Sequence, residues 1–143
     1  MKPSPTAGQV YGENRGDTNV LLRDALQDDP LQSPIASKTL QKAEVVFVPT
    51  PALCEFVWVM QRLYKRSAAE IALSIRLLMS GDNVELDRPA IEAGLEVLED
   101  GGDFADGVIA YEGHWLGAEE FVSFDKQAVS LLRSQGRKAR LLS

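Results

Sequence analysis

The sequence predicts an α/β domain, a three-layer α/β/α sandwich around a central, mostly parallel sheet. Three observations lead there. Short apolar or β-branched runs recur at 45–48, 83–86, 121–124 and 139–142. Segments with apolar residues three and four apart separate most of them. Strands alternating with helices favour parallel pairing through right-handed crossovers, which sets helices on both faces of the sheet.

The elements follow in order. Residues 1–16 hold Pro3, Pro5, Gly8, Gly12 and Gly16, with only Val10 and Tyr11 as adjacent apolar residues, and read as an irregular N-terminal arm. The folded domain is expected over 17–143. Residues 18–27 carry Val20, Leu21, Leu22 and Leu26 and predict a short helix. A second helix over 33–43 sets Ile35, Ala36 and Leu40 on one side, and the run at 45–48 is a buried strand. Thr50-Pro51 signals a helix start, with Thr50 as cap. Leu53, Phe56, Val57, Met60, Leu63 and Tyr64 then form its apolar stripe. Ser67 and Glu70 form a capping box for a helix burying Ile71, Ile75 and Leu78, which Gly81 ends. After a short strand at 83–86, Asp87 caps a helix bearing Ile91, Leu95 and Leu98, and Gly101-Gly102 breaks it. Asp103 caps the next helix, with Phe104, Val108, Tyr111 and Trp115 in one row. A strand over 121–124 leads into a helix opened by Asp125, and residues 139–142 supply a last strand.

Composition narrows the chemistry. The chain has 143 residues, 45% of them apolar and 25% charged, which suits one domain of ordinary size. Its single cysteine, Cys54, cannot form an internal disulfide, and its single histidine, His114, excludes a His-based metal site or a Ser-His-Asp triad within one chain. No apolar stretch reaches membrane-spanning length, and the N-terminus lacks the apolar core of a signal peptide, so the expected location is the cytoplasm. A net charge of −6 argues against a non-specific nucleic-acid coat. It does not argue against a carboxylate site whose negative charge cations offset. Basic residues form two groups, Arg62, Lys65 and Arg66, and Arg133, Arg137, Lys138 and Arg140. Each suits a phosphate backbone, an acidic partner or a solvated helix end.

In parallel α/β folds ligands sit beyond the carboxyl ends of the strands. Four acids fall near such places. Asp17 opens the first helix, Glu55 lies in the second turn after the 45–48 strand, Asp106 lies one turn inside its helix, and Asp125 follows the 121–124 strand. Each has a local explanation, because first-turn acids favour the helix dipole and cap free N–H groups. Glu55, however, sits in the apolar segment 52–60, where a charge needs a partner. Asp106 shares its helix side with Ala110 and Gly113, small residues that leave room for a ligand or a neighbouring helix. Converging carboxylates repel one another, and Mg²⁺ or Mn²⁺, which prefer oxygen ligands, relieve that repulsion.

Asp17-Thr18-Asn19-Val20-Leu21-Leu22-Arg23 resembles the opening motif of PIN domains, above all those of VapC-type toxins, and Gln27-Asp28-Asp29-Pro30 follows at the family's spacing. Leu53-Cys54-Glu55-Phe56-Val57-Trp58-Val59 resembles the second acidic motif. The run from Gly102-Asp103-Phe104-Ala105-Asp106 to Ala110 resembles the third, and Phe121-Val122-Ser123-Phe124-Asp125-Lys126 the fourth. The resemblance covers roughly 17–132. It implies a metal-dependent endoribonuclease with Asp17, Glu55, Asp106 and Asp125 around one or two Mg²⁺ or Mn²⁺ ions. Ser123 stands where the family places a hydroxyl near the metals, and Asn19 and Asp103 are supporting neighbours. It also implies an RNA substrate, a cognate VapB-type antitoxin that blocks the cleft, and a homodimer.

One departure is plain. In the family an apolar strand runs directly into the first Asp, whereas Gly12-Glu13-Asn14-Arg15-Gly16 are poor strand formers. Burying such a strand contributes roughly 1.5–3 kcal/mol per apolar residue, against a domain stability of about 5–15 kcal/mol. Either residues 8–16 make a poor strand or the first acid is poorly held. This leaves a second reading, a catalytically degenerate PIN domain that binds antitoxin or RNA without cleaving it. A receiver-like phosphorelay domain also gathers acids at strand ends, but Lys126 directly after Asp125 does not fit its order. Among other residues, Cys54 is expected in the core, His114 on a helix surface, Trp58 and Trp115 in core or interface, and Glu119 and Glu120 in solvent.

Overall fold

Most of the apolar positions foreseen in the sequence are buried in the structure. In the computed structural model the backbone is described for residues 9–11 and 15–143, and side chains from Thr18 onward. The chain divides into two compact units, one ending at Leu86 and the other running from Asp87 to Ser143.

The first unit contains β1 (Gln9–Tyr11), α1 (Arg15–Leu26), α2 (Gln32–Lys42), β2 (Val45–Phe47), α3 (Thr50–Arg62), α4 (Ala68–Met79) and β3 (Val84–Glu85). Its three strands lie in the order β1-β2-β3, all parallel, with Gln9 opposite Val45 and Val46 opposite Val84. Helix α3 buries Leu53, Phe56, Val57 and Met60, and α4 buries Ile71, Ala72, Ile75 and Met79. Removing each large side chain of this kind from water stabilises the fold by about 1.5–3 kcal/mol. Ser67 and Glu70 form the expected capping box on α4. The Asn83 side chain donates to the carbonyls of Leu40 and Ala43, at 2.8 and 2.9 Å, and so ties the approach to β3 to the end of α2.

The second unit contains α5 (Arg88–Glu99), α6 (Phe104–Trp115), β4 (Phe121–Ser123), α7 (Lys126–Ser134) and β5 (Ala139–Leu141). Strands β4 and β5 pair in parallel, with Phe121 opposite Ala139 and Ser123 opposite Leu141. Helix α7 joins them, and Val129, Leu132 and Ala139 pack with Val97 of α5. Asp87 caps α5 through the Ala90 N–H. Gly101, at φ +94°, ends α5 in a backbone conformation that side chains with a Cβ resist.

Several expectations are corrected. The strand Gln9–Tyr11 lies inside the segment read as an irregular arm, since β pairing needs only a few residues against a β-branched partner strand. Helix α1 starts at Arg15, so Asp17 lies inside its first turn rather than opening it. First-turn acids are favoured by the dipole as well as at the cap. Thr50 does not cap α3. Pro49 takes the N-cap position with extended backbone, φ −63° and ψ 144°, one residue earlier, and no side chain caps the helix. The apolar spacing places Ile35 and Leu63 on buried faces, yet both are exposed. Leu63 is already the C-cap residue, one step beyond the last turn of α3. Trp58 and Trp115, expected in core or interface, are exposed, which excludes the core. Trp58 falls opposite the buried face of α3, and Trp115 borders an open cavity of about 270 Å³ with Asp87, Tyr111, Glu112 and Leu116. Among the described residues no helix is long and apolar enough to cross a membrane.

Candidate active site

In the second unit three acids share one electrostatic field. Asp103 is the N-cap of α6 and accepts from the Ala105 N–H at 2.9 Å. Asp106 follows in the first turn of the same helix, partly buried. Asp125 caps α7 directly after β4, its Oδ1 accepting from Gln127 N–H at 2.9 Å and Ala128 N–H at 3.2 Å. The Ser123 hydroxyl oxygen accepts from the Asp125 N–H at 2.9 Å and fixes the turn between strand and helix. Burial raises the Asp106 carboxyl above its usual range, and the negative charges of Asp103 and then Asp125 push it further in the same direction. Among described residues no Lys or Arg forms a salt bridge with any of these acids. The arrangement is a carboxylate held where a cation would relieve it.

What places Asp106 is its neighbour. A Cβ added at Gly107 would run into the Ala93 carbonyl of α5 and come within 2.9 Å of the Gly94 Cα. A Cβ added at Gly94 would stand 2.7 Å from the Phe104 ring and 2.9 Å from Val108. The two bare positions let α5 and α6 meet backbone to backbone, with Phe104 and Val108 fully packed between them. That contact fixes the rotation of α6 and so the direction of the residue beside Gly107. The small residues expected to matter here were Ala110 and Gly113. Ala110 does pack on the core around Val97, but a Cβ at Gly113 would meet only Ala118, at 3.7 Å.

In the first unit Glu55 lies on α3, partly buried. The Thr18 hydroxyl of α1, itself 2% exposed, donates to Glu55 Oε2 at 3.4 Å. Asn19 is exposed on α1. Asp17 is on the same helix, and its side chain lies outside the described residues. The helix pair is also clamped further along. Arg23 of α1 donates to the Tyr64 hydroxyl at 2.7 Å, beyond the end of α3, and to Asp28 at 3.0 Å.

Comparison with protein families matches residues 17–131 to the PIN domain. The chain belongs to the PIN domain family. No curated protein matches it. PIN domains are generally metal-dependent nucleases, often found in toxin–antitoxin systems, and they typically use divalent metal ions.

The donors of this PIN domain suit such an ion in kind, being carboxylates with a burdened Asp106 among them. Among the described residues, no group of three or more His, Cys, Asp or Glu side chains is close enough together to hold a metal. The described side chains therefore form no closed ligand set by themselves, and the Asp17 side chain lies outside them.

The remaining residues sort simply. His114 is exposed, as the sequence suggests, and Cys54 is partly buried rather than fully in the core. Glu119 and Glu120 are exposed, with Glu120 paired to Arg140 at 2.8 Å. Sequence reasoning missed Thr18 as the hydroxyl on Glu55. Its signal was its position directly after Asp17, at the start of the run that carries Leu21 and Leu22. It also missed Gly107, whose signal was a glycine inside a helix that no turn requires. Arg23 with Tyr64 left no signal, because 41 residues separate them.

Proposed function

We propose that this PIN domain is a metal-dependent endoribonuclease of the VapC type, the toxin of a type II toxin–antitoxin pair, acting in the cytoplasm on RNA. One observation carries the reading. Asp106 stands partly buried in the first turn of α6, next to the capping Asp103 and within the field of Asp125 at the start of α7, a gathering of negative charge that a divalent cation would relieve. In this reading the fold is the three-layer α/β/α sandwich that the sequence predicts. Asp17, Glu55, Asp106 and Asp125 would hold Mg²⁺ or Mn²⁺, with Asn19, Asp103 and Ser123 supporting them. When bound, such an ion supplies Lewis acidity, lowering the pKa of a water and stabilising the oxygen that leaves the phosphodiester. The chain's own residues then have distinct tasks. Thr18 orients Glu55, Ser123 holds the turn that presents Asp125, and Gly107 sets the direction of Asp106. A VapB-type antitoxin would cover the site, and two copies would form a homodimer.

The test is a divalent-metal titration with end-labelled RNA. The reading expects cleavage that needs Mg²⁺ or Mn²⁺ and disappears in Asp106→Asn. A specific observation keeps a second reading in play, a degenerate PIN domain that binds antitoxin or RNA without cleaving. The described acids do not close a ligand set, and β1 is only three residues long. RNA retention without cleavage at any metal concentration would select it.

A further inference from the structure

Helix α3 carries Glu55 on one side and an unused aromatic–cationic pair beside it. Trp58 is 55% exposed although the surrounding sequence is apolar. The Arg62 guanidinium lies 6.0 Å from the centre of its ring. Trp58 and Arg62 stand three and seven residues after Glu55, so at a rise of 1.5 Å per residue they follow it by about 4.5 and 10.5 Å along the axis. At about 100° per residue all three fall within an arc of about 60°. That arc lies opposite the side formed by Leu53, Phe56, Val57 and Met60, which are buried. Nearby, Arg66 is engaged by Glu70 at 3.3 Å. Arg62 and Lys65, both exposed, have no carboxylate partner among the described residues. In a chain of net charge −6 these are conspicuous uncompensated cations.

A flat indole open to solvent, flanked by free cations, is the chemistry that single-stranded nucleic acid recognises. Bases stack on aromatic faces, and Lys and Arg hold the phosphates between them. A duplex offers no such free base. We infer that Trp58 and Arg62 form a platform on which an unpaired base of the RNA stacks while Arg62, with Lys65, holds an adjacent phosphate. This rests on the nuclease reading for its place beside Glu55. It adds the residues of this chain that would hold an unpaired base.

The experiment uses the full chain with Asp106→Asn, so that RNA survives the measurement, in Mg²⁺. Binding of a dye-labelled, unstructured oligoribonucleotide and of the same sequence in a duplex is followed by anisotropy. The exposed position of Trp58 lets its variants fold, which circular dichroism checks. Trp58→Ala should weaken single-strand binding roughly 5- to 150-fold, the range for loss of one stacked base, with little effect on the duplex. Trp58→Phe should retain most of it. Arg62→Ala should lower the slope of log affinity against log salt by about 0.7, one phosphate contact on a single strand, and Arg62→Lys should restore it. Equal binding by Trp58→Ala and its parent overturns the platform, as does equal weakening on single strand and duplex. Unchanged RNA binding with lost affinity for a helical peptide partner also overturns it and makes the face a protein-docking surface. Cleavage is read separately on the chain with Asp106 intact. Metal-dependent cleavage that is indifferent to Trp58 sinks the platform and spares the nuclease. Trp58-dependent binding with no cleavage in any metal does the reverse.

Discussion

Gly107→Ala should destabilise the second unit, while Gly113→Ala, on the same helix α6, should stabilise it. A new Cβ at Gly107 meets the Ala93 carbonyl and lies 2.9 Å from both Gly94 Cα and Val97 Cγ2. The first two of these are backbone atoms, so relief requires α5 and α6 to move apart rather than a side chain to rotate. Overpacking of this kind costs about 1–3 kcal/mol, and a backbone clash belongs at the upper end. Replacing a helical glycine with alanine returns up to about 1 kcal/mol. The net expectation for Gly107→Ala is a loss of roughly 2 kcal/mol. At Gly113 the added Cβ has only Ala118 at 3.7 Å, ordinary contact, so the propensity gain of about 0.5–1 kcal/mol stands alone. Urea unfolding followed by circular dichroism gives both values. If the two substitutions shift stability in the same direction, the close α5–α6 contact is not what orients this helix.

Further predictions follow from single groups. The raised Asp106 carboxyl means that the folded chain holds its proton above the ordinary value of 3.8, while the unfolded chain has released it. Stability of the metal-free chain should therefore fall as pH rises through the window above 3.8, and not below it. Asp106→Asn should remove that fall, so that metal-free thermal melts of parent and variant converge in acid and separate, variant higher, near neutrality. Asn83→Ala leaves the Leu40 and Ala43 carbonyls without their donor, at a cost of about 1–2 kcal/mol in urea unfolding. Ser67→Ala breaks the capping box of α4 and should cost about 1 kcal/mol by the same assay. Thr18→Val keeps the shape of a buried residue but deletes the hydroxyl on Glu55. It should lower metal-dependent cleavage with folding intact, and Thr18→Ser should recover most of it.

Much of this PIN domain was legible from local rules. Caps and stripes placed α4, α5, α6 and α7 within a residue or two, because Ser67 with Glu70, Asp87, Asp103 and Asp125 satisfy helix N–H groups through their own side chains. Strands β2, β3, β4 and β5 fall inside the expected runs, β1 does not, and every strand pair among the described residues is parallel. What local rules missed depends on contacts distant in sequence. Trp58 looks like core inside 52–60, but which side of α3 is buried is decided by what packs there, and that side belongs to Leu53, Phe56, Val57 and Met60. Strand β1 has only Val10 and Tyr11 as apolar residues, in a segment rich in Gly and Pro, and it forms against Val45–Phe47. At the site, Asp106 and Asp125 stood out by position after helix starts and strand ends. Their mutual repulsion, and the role of Gly107 in aiming one of them, needed three dimensions.

Whether the acids of this PIN domain hold a divalent cation can be read from a Mn²⁺ titration of the full chain followed by electron paramagnetic resonance of the free ion. Binding by the parent should be saturable and should weaken by at least about tenfold in Asp106→Asn and in Asp125→Asn, each folded as the parent is. Mn²⁺ binding of equal strength in the parent and both variants would contradict it, as would no saturable binding at all.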